Sequence, residues 1–105
     1  MATGACPVID YVTPLFNVGQ NLTVRRGTEW HGVPEARMQL AHGQLSPPRP
    51  LQTEVRRFDT LVAADLQHEH DPRCRTPEGL LAELQRIYEG FSAEETVTLV
   101  RFTME

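Results

Sequence analysis

Lysine is entirely absent from this 105-residue sequence, so all ten basic side chains are arginines. Every fixed positive charge is therefore a guanidinium, which grips phosphate or carboxylate bidentately and cannot serve as a general base near neutral pH. Long apolar runs are missing as well. None approaches the roughly 18 residues that a membrane helix requires, and the N-terminal apolar run is broken by Asp10 and Pro14. That run also lacks the basic start of a secretory signal, so a membrane association is not expected and a cytoplasmic location is. Cysteine is scarce. Cys6 and Cys74 cannot form the framework that staples small secreted domains, and reduced thiols are expected, although a single bridge stays open.

The remaining composition, 40% apolar and 23% charged, belongs to a folded chain, and the length suits one core. A single domain over residues 1–105 is expected. The net charge of -4 hides a division along the chain. Residues 21–58 carry six arginines against three acids, whereas residues 59–105 carry four arginines against ten acids. An anionic ligand would prefer the first region, and general nucleic-acid affinity is disfavoured.

Thr13-Pro14 through Gly19 has the caps of a short helix, with Pro14 at the first helical position and Gly19 as left-handed terminator. Leu22 to Arg26, Ala36 to Leu40 and Leu51 to about Phe58 alternate apolar and polar residues and predict three strands, the second running into a turn at His42-Gly43. Ser46-Pro47-Pro48-Arg49-Pro50 predicts a stiff exposed loop, because three prolines remove donors and fix φ. Leu61 to Glu69 is compatible with a helix that ends before Pro72. Thr76-Pro77, then Leu80, Leu81, Leu84, Ile87 and Tyr88 before Gly90, predicts a well-capped helix whose Leu80, Leu84 and Ile87 belong to the core. Glu95 to Thr103 is β-branched and aromatic, with apolar residues on both faces, as in a central strand. The order helix, three strands, two helices, closing strand defines an α+β fold with a curved sheet.

Gly19-Gln20-Asn21-Leu22-Thr23-Val24-Arg25-Arg26-Gly27 followed by Trp30 resembles the opening signature of ASCH domains. Phe58 to Glu69 is similar to that family's short helix carrying a glutamate to the cleft. Leu84 to Tyr88 with Thr98 to Phe102 is similar to its last helix and closing strand. The resemblance covers about residues 13–105. It implies a PUA-like curved sheet or small β-barrel with flanking helices and a polar cleft. It also implies RNA or a modified nucleoside as partner and, in some members, hydrolysis of acetylated cytidine. Thr23 and Glu69 fall on two positions of a Lys-Thr-Glu constellation and are the candidate catalytic residues. Gln20 or Asn21 takes the lysine's place, and a neutral amide can neither accept a proton nor stay charged.

Arg25 and Arg26 should point to opposite faces of their strand, so at most one enters a cleft. The signature favours Arg25 as an anchor for phosphate or a carbonyl oxygen, against the plainer reading of solvated surface charges. Thr23 is either a β-former or a ligand contact, and as a nucleophile it would depend on Glu69 as base. His68 or His70 could stand in for the lysine, since imidazole titrates near neutral pH. Trp30 and Tyr88 could stack on a base, with core packing the stronger alternative for Tyr88. His68, His70, Asp71 and Cys74 suggest a metal. However, histidines two apart on a helix face nearly opposite ways and structural zinc takes four ligands, so no metal or cofactor is expected. Three functional classes follow: a module binding RNA or a nucleoside, an amidohydrolase on acetylated cytidine or a related amide, and a ribonuclease-like activity using His68 or His70.

Overall fold

The computed structural model describes residues 6–105, which form β1 (Val8–Ile9), β2 (Gly19–Arg26), β3 (Glu35–Met38), β4 (Arg49–Pro50), β5 (Gln52–Arg57), α1 (Pro77–Ile87) and β6 (Thr96–Met104). β6 is the organising strand. It pairs antiparallel with β2 on one side and β5 on the other, with Thr23 opposite Val100 and Val100 opposite Thr53. Because side chains alternate across a strand, β6 feeds two cores at once. Val97 and Leu99 pack with Leu22, Val24, Leu66, Leu80 and Leu84 on the α1 side. Val100 and Phe102 pack with Ile9, Ala36 and Met38 on the other. Removing the wholly buried Leu99 side chain would cost about 2–5 kcal/mol.

A second sheet, ordered β1-β3-β4, covers the face opposite α1; β1 runs parallel to β3 and β4 antiparallel to it. Only Leu51 separates β4 from β5, so the chain leaves one sheet and enters the other at a single corner, where the Leu51 N–H donates to the Pro34 carbonyl. The architecture is α+β, three layers deep. The two sheets are not joined into a closed barrel among the described residues.

The three alternating strands, the closing strand and α1 form as expected, with Phe58 turning into a 3-10 segment instead of ending β5. Thr76 caps α1 through Oγ1, which accepts from the Gly79 N–H at 3.1 Å, and Pro77 occupies the first turn. Gly79 is needed for a different reason, because a Cβ there would lie 2.1 Å from the Arg73 carbonyl oxygen. Ile87 departs from its expected core position and is 39% exposed.

Two expected helices are absent. Residues 13–18 form a loop, and Gly19, with φ +93°, opens β2 instead of terminating a helix. The Asn21 carboxamide takes over the local backbone groups, accepting from Asn17 N–H at 2.8 Å and donating to Asn17 O at 2.9 Å, and so short a helix has no turns to offset nucleation. Residues 61–69 likewise yield only a 3-10 turn at Ala63–Leu66. Tertiary pairing overrides local propensity there: Leu22 N–H donates to His68 O at 2.8 Å and His70 N–H to Leu22 O at 3.0 Å, a parallel bridge on the free edge of β2. The proline-rich loop also contributes more than expected, since Arg49–Pro50 serves as the short edge strand β4, a place where proline is tolerated. No described helix is long and apolar enough to cross a membrane.

Candidate functional site

Thr23 and Arg25, two apart on β2, share one face of the strand, and the bridge between Leu22 and Glu69 brings residues 69–71 alongside them. The three side chains of Thr23, Arg25 and Glu69 meet in one recess of about 210 Å3 between β2, the Asp10–Thr13 segment and α1. His70 and Tyr88 also line it. Arg26 points the other way, as the alternation requires, and forms a bidentate pair with Glu95 at 2.7 and 3.0 Å.

Arg25 is held on three sides. Its Nε donates to Thr23 Oγ1 at 3.2 Å, its guanidinium carbon sits 4.7 Å from the centre of the Tyr11 ring, and Nη1 is 3.6 Å from Asp10 Oδ1. The Tyr11 hydroxyl donates to the Met38 sulfur at 3.1 Å. Burial raises its pKa well above the ordinary phenol value, so it is neutral throughout the physiological range.

Glu69 is almost wholly buried, and burial pushes its carboxyl up to about 8 despite the backbone N–H of Asp71 donating to Oε1 at 3.0 Å. His70 explains how a proton is held there. Its Nδ1 lies 2.9 Å from the Leu15 carbonyl, which can only accept, so Nδ1 carries a hydrogen and the neutral ring presents bare Nε2 to Glu69 Oε1 at 3.4 Å. Two bare acceptors would repel, so the pair holds a shared proton. Burial also holds the His70 pKa below its usual value, which leaves the proton on the carboxyl side at neutral pH. Asp71 takes no part in this exchange, because Arg73 grips it at 2.8 Å and lowers its pKa.

The structure separates the remaining candidates from this recess. Trp30 packs against the cluster containing Met38 and Phe102 and is not on the recess wall. Asn21 is 2% exposed with its carboxamide spent on Asn17 and Gly19, and Gln20 opens into a different cleft; neither lines this recess. That second cleft, about 520 Å3, takes in Gln52, His68 and Arg101. His68 and His70 therefore face different hollows. Among the described residues no three His, Cys, Asp or Glu side chains are grouped to hold a metal, and Cys74 is buried in the α1 core, where burial pushes its thiol up to about 12. Both cysteines are free thiols. The sequence reading missed Tyr11. Its only sequence signal is an aromatic beside Asp10, and nothing local ties residue 11 to residue 25.

No protein-family model matches the chain, and no curated protein or solved structure matches it either.

Proposed function

We propose that the chain is an ASCH-like, PUA-like module that receives part of an RNA element or a modified nucleoside in the recess of Thr23, Arg25 and Glu69. The observation carrying this reading is that residues 46 positions apart, Thr23 and Glu69, border one hollow with a preorganised guanidinium between the aromatic Tyr11 and the Thr23 hydroxyl. A guanidinium supplies a planar donor fork and the Thr23 hydroxyl, which accepts from Arg25, keeps its own hydrogen to donate, a set that suits a carbonyl or phosphate edge. At about 210 Å3 the recess is smaller than the about 300–1,000 Å3 of pockets that engulf whole ligands. A base edge or end group enters it while the rest of the ligand lies outside. Two free thiols fit the cytoplasm as the setting.

A second reading, amide hydrolysis, is favoured by the Glu69–His70 pair: water would add to the acyl carbon, Arg25 would stabilise the charge on the acyl oxygen, and the pair's shared proton would pass to the amine as the C–N bond breaks, the proton lost by the water restoring the pair. The test is incubation with acetylated cytidine and with short single-stranded RNA, comparing wild type with Glu69→Gln. Saturable binding without product supports the module. Deacetylated product lost in Glu69→Gln promotes the hydrolase, RNA cleavage promotes a ribonuclease using His70, and the absence of any binding or product contradicts the reading.

A further inference from the structure

We infer that the recess is a receptor for a small oxyanion, the carboxylate or phosphate end group of a larger ligand, with Arg25 as its counter-charge. The inference rests on the recess being the ligand site, and it adds the charge of the group that enters. Its basis is an imbalance of charge. The Arg25 side chain is only 15% exposed, yet the sole carboxylate within 4 Å of it among the described residues belongs to Asp10, at 3.6 Å and 86% exposed. A buried cation ordinarily has a buried, hydrogen-bonded partner, since desolvating a charge costs far more than a distant, hydrated carboxylate returns.

No other acid around the recess supplies that partner. Glu69 lines the same recess but shares its proton with His70. Asp71 is committed to Arg73, and Glu83, on α1, to Arg86. Arg75 adds a further positive charge behind Glu69, donating from Nε to the Glu69 carbonyl at 3.1 Å and from Nη2 to Asn17 Oδ1 at 2.8 Å. Tyr11, His70 and Tyr88 complete the walls without charge at neutral pH in the cases of Tyr11 and His70. An entering anion would displace the loosely held Asp10 carboxylate, meet the guanidinium on the Tyr11 ring, and accept from the Thr23 hydroxyl. The small volume selects an end group over a whole molecule, and a carboxylate and a phosphate share the chemistry required.

The experiment is an NMR titration at neutral pH with acetate, inorganic phosphate, the neutral isostere acetamide and cytidine, read at the amides of Tyr11, Thr23, Arg25 and Glu69 to Asp71. Acetate or phosphate is expected to move these amides saturably, with acetamide at least tenfold weaker; which anion binds tighter identifies the source. Arg25→Gln should abolish the anion response. Asp10→Asn alters only an exposed side chain, so it should fold and should bind the anion about threefold or more tighter by removing the competitor. Acetamide binding as tightly as acetate, or anion binding unchanged in Arg25→Gln or weakened in Asp10→Asn, would overturn the inference. Cytidine or acetamide shifting the recess where both anions fail would overturn it and leave the ligand-site reading standing; silence of all four probes would overturn both.

Discussion

His70 Nε2 faces Glu69 Oε1 at 3.4 Å across a wall of the recess, and the Leu15 carbonyl fixes the ring so that this nitrogen is the bare one. The contact needs one proton, and the two groups respond to pH in opposite senses.

Glu69 has a folded pKa of about 8 against an ordinary value of 4.5, so the folded state binds the proton more tightly than the unfolded state. Its contribution is full below pH 4.5 and is lost as pH rises through 8. His70 is depressed below 6.5, so its contribution is present above 6.5 and is lost as pH falls below that value. Thermal midpoints between pH 5 and 9 should therefore decline on the alkaline side in the wild type, and Glu69→Gln should flatten that decline while keeping the acid limb. An alkaline decline of equal size in Glu69→Gln would contradict the shared proton.

Gly79→Ala pits two effects against each other. Alanine is favoured over glycine in a helix by about 1 kcal/mol, but its Cβ would meet the Arg73 carbonyl at 2.1 Å, a backbone atom of the turn that carries Cys74. The clash should win, with net destabilisation of about 1–3 kcal/mol, as overpacking gives. Urea unfolding at constant slope measures it.

Trp30→Ala should separate packing from recognition. Trp30 is half-buried against the Met38 cluster, so truncation should cost about 1–3 kcal/mol, less than the about 3–5 of a fully buried aromatic. Ligand affinity at the recess should stay within twofold of wild type, and a tenfold loss in a folded variant would return Trp30 to the site.

Much of the fold was legible because period and caps act locally. The alternation of β2 and β5, the two-faced apolar run of β6, and Thr76-Pro77 with Leu80 and Leu84 in α1 each carry their own instructions. Residues 13–18 and 61–69 were not legible, because their conformations are set by partners distant in sequence: Asn21 for one, the edge of β2 for the other. The site divides in the same way. Alternation allowed only one of Arg25 and Arg26 into a cleft; Thr23, Arg25 and Glu69 were singled out by the resemblance, and His70 by its position beside Glu69. Tyr11 could not be found, since only the fold lays its ring against Arg25. Trp30, Gln20 and Asn21 were candidates through the resemblance, whereas alternation sends Gln20 to the face opposite Thr23, the Asn21 carboxamide is spent on Asn17 and Gly19, and Trp30 packs with Met38.

Ligand is expected to bind in the recess and not in the larger cleft lined by Gln20 and Arg101. Amide chemical-shift mapping during titration with a cytidine nucleotide tests this directly. Shifts should gather at Tyr11, Thr23 to Arg25 and Glu69 to Cys74; shifts gathered instead at Gln20, Gln52, Gln67 and Arg101 would contradict it.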